Sequence, residues 1–183
     1  DLAIEGELPA GLEGAYLRNG PNPQFAPLGR YHIFDGDGMV HGVYLQGGKA
    51  RYRNRWIESR GLLAERARGR ACYGGLAEFT MPEPDVLEDG GMMKNTANTH
   101  VVRHAGAIYA LLEAAPPTLL SPMLETLGEH DFGGTLAGSM TAHPKLDPAT
   151  GEMLFFGYGP FPPFVRFHTV DPDGTLVPSV ELE

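Results

Sequence analysis

Seven histidines, at positions 32, 41, 100, 104, 130, 143 and 168, are the residues of this 183-residue chain with the widest chemical scope. Neutral imidazole binds first-row transition metals and takes up a proton near neutral pH. His100 and His104 stand four apart, the spacing of a helical zinc pair. However, Val101 occupies the place of that motif's glutamate, and its β-branched neighbourhood favours a strand. On a strand, four residues span about 13 Å, too far for one ion. His143 precedes Pro144, which biases it towards extended backbone and withholds an N–H, so the imidazole is held rigidly at a strand end or rim. Read alone, His143 is more simply a satisfied structural histidine than a ligand.

Several other chemistries are set aside by the residues themselves. Ser139 has Ala137 two before it and Thr141 two after, so it is not a nucleophile elbow. No glycine-rich loop ends in Gly-Lys-Ser/Thr, which argues against a nucleotide hydrolase. Asp35-Gly36-Asp37-Gly38 carries Met39 where a calcium loop needs an oxygen ligand, so a tight turn is expected instead. Cys72 is the single cysteine, which excludes a cysteine metal cluster and an intrachain disulfide. A net charge of −9, from 14 basic and 23 acidic residues, argues against nucleic-acid binding.

The elements that must position these side chains are strands. With 25 glycines, 16 prolines and 42% apolar residues, the chain reads as globular and turn-dense. Asp35–Gly38 predicts tight turns with positive φ, leading into a strand over Met39–Leu45. Gln46–Lys49 turns the chain into a second strand, Ala50–Ile57, with Tyr52, Asn54 and Trp56 on one face and Arg51, Arg53 and Arg55 on the other. A second hairpin is expected from His100–Arg103 and Ala107–Leu112 around Ala105-Gly106, its later run apolar enough for a buried strand. Asp147–Gly151 is a turn before a strand at Met153–Gly157; Val165–Val170 and Thr175–Val180 flank the turn Asp171–Gly174. One weak helix is predicted, Gly61–Arg70. The pattern fits a sandwich, barrel or propeller without choosing among them, and predicts no internal domain boundary across 1–183.

Six ordered blocks carry a family likeness: Leu17–Pro23, Phe34–His41, Tyr52–Trp56, Leu124–Gly128, Asp131–Gly134 and Thr141–Lys145. Together they resemble the carotenoid cleavage oxygenase family over nearly the whole chain, most closely its bacterial branch of apocarotenoid and lignostilbene dioxygenases. The resemblance implies an all-β fold: a seven-bladed β-propeller, present here in part, with one non-haem Fe(II) on its axis held by four histidines. It also implies a reaction in which O2 splits a conjugated C=C bond into two carbonyl products. His143 matches the first ligand, and Glu113 matches a glutamate that accepts a hydrogen bond from a ligand histidine. A carboxylate following a run as apolar as Ala107–Leu112 is costly to bury without a partner such as an imidazole N–H. Phe34 matches a tunnel-lining aromatic.

Two departures shape the expectation. Family members that cleave hydroxystilbenes carry, in this alignment, a lysine before that glutamate to meet the phenolic oxygen. Here the residue is Leu112, which favours an apolar carotenoid or apocarotenoid substrate, with Tyr73 as the nearby side chain able to take over a phenol contact. The other three ligands belong to family sequence beyond residue 183, so this polypeptide alone is expected to be inactive and, with unpaired strand edges, to associate. A chain that opens without Met and stops at Val180–Glu183 suggests trimming or truncation. The competing readings are stilbene cleavage and a non-catalytic β-module. An acidic start without an apolar stretch of signal-peptide kind suggests a cytoplasmic protein; peripheral membrane contact stays open, although no amphipathic basic helix is seen. If the oxygenase reading holds, the His143 ring turns inward towards the site rather than into bulk solvent or onto backbone groups.

Overall fold

The computed structural model describes residues 1–113 and 115–182. Its described strands form three antiparallel sheets, each a meander in which every strand pairs with the next in sequence. The first holds β1 (Gly14–Pro21), β2 (Gly38–Gln46) and β3 (Lys49–Trp56). The second holds β4 (His100–His104), β5 (Ala107–Leu111), β6 (Thr118–Leu120) and β7 (Thr126–Glu129). The third holds β8 (Lys145–Leu146), β9 (Met153–Tyr158), β10 (Val165–Val170) and β11 (Val180–Leu182). Consecutive meanders stacked face to face are the arrangement of propeller blades.

β5 shows why the sheets stack. Ile108 and Ala110 pack with Val40, Ile57, Leu120 and Leu124 against the first sheet, whereas Tyr109 and Leu111 pack with Phe132, Met140, Met153, Phe155 and Val170 against the third. A strand covered on both faces loses the usual apolar–polar alternation, which accounts for the unbroken run in the sequence. The turns into and out of these strands follow local chemistry. Gly47 and Gly48 both take positive φ (56° and 71°) between paired Gln46 and Lys49, as a two-residue hairpin loop demands.

Asp35–Gly38 behaves differently from the tight turn expected. Ile33–Asp35 is a single 3-10 turn capped by His32, and Gly36 is extended at φ −65°, ψ 150°. The glycines serve close approach instead of positive φ: a Cβ on Gly38 would stand 2.5 Å from the Thr96 carbonyl oxygen, and one on Gly36 would stand 2.9 Å from the Asn22 nitrogen. The expected strand Thr175–Val180 is also corrected. Its turn forms, with Asp171 Oδ1 accepting from the Asp173 and Thr175 amides, but only Leu176 bridges Val170 before Pro178, which has no N–H to donate. Regular pairing resumes at Val180–Leu182 against Val165–Phe167.

The predicted helix is α1 (Arg60–Arg68), started by the Ser59 hydroxyl accepting from the Leu62 amide and stopped by left-handed Gly69. A second short helix, α2 (Pro84–Gly90), was not foreseen. Arg68 holds it, reaching Asp85 Oδ2 at 2.7 Å and Asp89 Oδ2 at 3.0 Å, and that guanidinium lowers the pKa of Asp85. Lys94 then ties the helical region to the first sheet. Its Nζ lies 2.5 Å from Glu65 Oε2 and also pairs with Asp37 Oδ1, all three side chains being nearly buried. The remaining carboxylate oxygens accept from the Cys72 and Gln24 amides, each at 2.9 Å.

His168 on β10 is fully buried, stacked on Phe155 with ring centres 4.7 Å apart, and its Nδ1 lies 2.7 Å from Ser179 Oγ. Its Nε2 is buried without a hydrogen-bond partner among the described residues. Burial, followed by the charge of Arg166, lowers its pKa. The folded state therefore keeps the ring neutral, while the unfolded chain binds a proton near the ordinary histidine value of about 6.5. The resulting stability is complete above that value and is lost as pH falls below it towards the lowered folded pKa. Urea unfolding between pH 8 and pH 5 should show stability falling on the acid side with a slope of up to about 1.4 kcal/mol per pH unit from this one group. His168→Gln, which does not titrate, should flatten that slope; an unchanged slope would assign the acid loss elsewhere.

Candidate metal centre

Glu113 stands two residues beyond the end of β5, where the strand leaves the packed interior. The segment that carries His143 is pinned between two sheets. The Met140 amide donates to the Ala115 carbonyl at 3.1 Å, and the Thr141 amide donates to the Phe156 carbonyl at 2.8 Å. Met140, Thr141 and Ala142 are buried. The chain then emerges at His143, and Pro144 fixes the exit before β8.

Thr141 links the two predicted residues. Its hydroxyl donates to Glu113 Oε1 at 3.1 Å and accepts from the His143 amide at 3.3 Å. His143 Nε2 lies 3.6 Å from the same Glu113 Oε1. At 3.6 Å the carboxylate is beyond hydrogen-bond range of the ring; a closer approach would set the tautomer and leave the other nitrogen with its lone pair for a metal. The ring is more open than expected: His143 is 63% exposed and Glu113 37%. The expectation of an inward ring is thus corrected: the imidazole stands largely in solvent, with the Glu113 carboxylate and the His100 ring beside it.

His100 was missed as a neighbour of this pair. Its ring centre lies 6.3 Å from that of His143. The signal was in the hairpin register: a turn at Ala105-Gly106 pairs His100 with Leu111, beside the exit to Glu113. Burial lowers the pKa of His100, and the charges of His143 and Lys145 add to that, so the ring is neutral at neutral pH. The dismissed His100–His104 chelate stays dismissed, since both lie on β4 and His104 Nε2 sits 2.7 Å from the Asp171 carbonyl oxygen.

The other histidines have local roles. His32 Nδ1 accepts from the Phe34 amide, His41 Nδ1 meets Tyr52 Oη at 2.5 Å, and His130 packs edge-on to Phe132. Phe34 lies on the 3-10 turn, 62% exposed. Leu112 is half-buried next to Glu113. Tyr73 is not brought to this group: it packs with Cys72 and Val86 in the helical region, 8% exposed, its hydroxyl buried without a partner among the described residues. Burial raises its pKa, followed by the charges of Glu65 and Cys72, so its hydroxyl stays protonated, and it is its buried place in the helical region that removes it from a phenol contact.

The donor chemistry fits one corner of a ferrous site: an exposed imidazole with a carboxylate behind it. Among the described residues no three His, Cys, Asp or Glu side chains converge, so this corner is what these residues supply.

Comparison with known proteins follows the same direction. A profile of the family described as Retinal pigment epithelial membrane protein matches residues 1–183. The chain is 40% identical to carotenoid 9,10(9',10')-cleavage dioxygenase 1 of Phaseolus vulgaris, over all of this chain and 36% of that protein. It superposes on the Pseudomonas brassicacearum lignostilbene dioxygenase structure with a TM-score of 0.87 and 39% identity, covering 98% of this chain and 38% of that one. Cobalt-substituted apocarotenoid oxygenase of Synechocystis gives a TM-score of 0.78 at 29% identity, over 96% of this chain and 40% of that one. The chain thus spans little more than a third of the length of these relatives, and its three sheets are part of a β-propeller. Matched from its first residue to its last, the chain belongs to the Retinal pigment epithelial membrane protein family, that of the carotenoid cleavage oxygenases.

Proposed function

We propose that the polypeptide to which this chain contributes is a non-haem Fe(II) dioxygenase that cleaves a conjugated C=C bond of a carotenoid or apocarotenoid, both atoms of O2 entering the two carbonyl products. The observation that carries this reading is the meeting of His143 with Glu113 in a chain matched along its length by dioxygenase relatives. Bound iron would supply a site where O2 and the double bond meet in a water-poor pocket. The residues of this chain hold and orient. His143 would offer one nitrogen to the metal and Glu113, 3.6 Å from the ring, would close to accept the hydrogen of the other, while Thr141 keeps the carboxylate and the His143 backbone in one register. Leu112 and Phe34 present apolar surface to the polyene. The remaining ligands would come from sequence outside this chain.

Likeness to the lignostilbene dioxygenase favours a second reading, cleavage of a hydroxystilbene. Leu112 opposes it, because a leucine offers nothing to a phenolate, and Tyr73 is packed elsewhere. Turnover of an apocarotenal and of a hydroxystilbene by the full-length polypeptide decides between them. The apocarotenal should be preferred, and Leu112→Lys should shift the ratio of kcat/KM values towards the hydroxystilbene by about tenfold or more. A wild-type preference for the stilbene would reverse the assignment.

A further inference from the structure

Asn98 is 3% exposed and sits two residues before β4. Its side-chain amide donates both hydrogens to backbone carbonyls more than sixty residues away, Phe34 at 2.7 Å and Gly36 at 2.6 Å. Its Oδ1 accepts from the Thr99 hydroxyl at 3.1 Å. Every hydrogen of this amide is thereby used on the turn that carries Phe34.

The backbone that presents Asn98 is strained and firmly held. Ala97, fully buried, has φ 47°, a left-handed conformation that costs a residue with a Cβ about 1 kcal/mol or more. Asn95 Oδ1 accepts from the Ala97 amide at 3.1 Å, and Asn19 Nδ2 donates to the carbonyls of Ala97 at 2.6 Å and His100 at 3.0 Å. Just beyond, the Thr99 amide donates to the Leu111 carbonyl at 2.9 Å, opening the β4–β5 hairpin that leads to Glu113. On its far side the Phe34 turn is tied by Asp35, whose carboxylate accepts from the His32 and Leu76 amides, both at 2.8 Å. Strain maintained by several directed bonds marks a place where position matters.

We propose that Asn98 is a positioning residue for bond selection: it locks the Phe34 turn to the hairpin that leads to Glu113, and so sets which double bond of a polyene stands at the His143–Glu113 site. The inference rests on the reading of Phe34 as substrate-lining. Successive double bonds in a polyene are chemically alike, so their discrimination depends on placement, and small misplacements of a bound substrate are costly in rate.

The test uses the full-length polypeptide with Asn98→Ala, Phe34→Ala and the double variant, following aldehyde products, iron content and amide hydrogen exchange. Asn98→Ala should retain iron, spread cleavage over neighbouring bonds and lower kcat/KM about tenfold or more. Exchange over residues 32–37 should speed up about tenfold or more, with residues 153–158 unchanged. The double variant should be no worse than Phe34→Ala, because Asn98 acts through that residue. Asn98→Ser, which keeps one donor, supplies the same comparison if the alanine variant does not fold. Altered products in Phe34→Ala with unaltered products in Asn98→Ala, or fully additive losses, would overturn the proposal alone. Unaltered products in Phe34→Ala would overturn the substrate-lining reading and the proposal with it.

Discussion

Lys94→Met is expected to destabilise the fold by about 3–5 kcal/mol, the cost of leaving buried charge without its counter-ion. Lys94 stands between Glu65 on α1 and Asp37 just before β2, with side-chain exposures of 10%, 3% and 5%. Methionine fills a similar volume, so the change removes charge with little change in packing. What remains is two carboxylates facing each other out of water, both anchored by backbone amides and unable to swing away. The loss should appear as a midpoint lowered by about 10 °C in a chain of this size. Lys94→Met combined with Glu65→Gln should recover part of it, since one carboxylate then lacks a repelling neighbour. A single variant as stable as the parent would mean that this ion cluster contributes nothing to joining the helices to the first sheet.

The second large effect concerns the metal. His143→Ala in the full-length polypeptide should abolish stable iron binding and aldehyde formation, because one imidazole of the set is gone and the described histidine whose ring adjoins it, His100, has its backbone fixed in β4. The histidines at 32, 41, 104 and 168 are engaged in local hydrogen bonds, and His130 is packed against Tyr109 and Phe132. Glu113→Gln keeps the size of the side chain but loses the charge that orients the imidazole, and should weaken metal affinity about 10–100-fold while leaving the fold intact. Iron content after gel filtration and titration of the apo-polypeptide with cobalt(II) distinguish the two. Full iron retention in His143→Ala would remove the dioxygenase reading; wild-type affinity in Glu113→Gln would remove only the role given to the carboxylate.

Much of the strand plan could be read along the chain. β2, β5 and β9 announce themselves by apolar runs, β3 by its alternation and β10 by the turn that follows it, which are local properties. β1 does not, because Gly14–Pro21 contains glycine, asparagine and proline and becomes a strand only through its eight-residue pairing with β2. α2 is equally silent in the sequence: its one buried residue, Val86, gives no periodic signal, and it is held by Arg68 from another element. His143 and Glu113 were legible only through ordered motif blocks, since neither residue type nor spacing singles them out. Asn98 was not read at all, His100 was weighed only with His104 and Thr141 only inside a motif block, for each matters through a partner tens of residues away.

Composition and turn chemistry by themselves determined an all-β chain, and motif order determined its family, because both are written in neighbouring residues. The tertiary structure decided which histidine meets a carboxylate, which glycines are needed for close approach, and which asparagine joins the Phe34 turn to the hairpin leading to Glu113. Those outcomes depend on sheets packing face to face, and distances between sheets are set by the whole core.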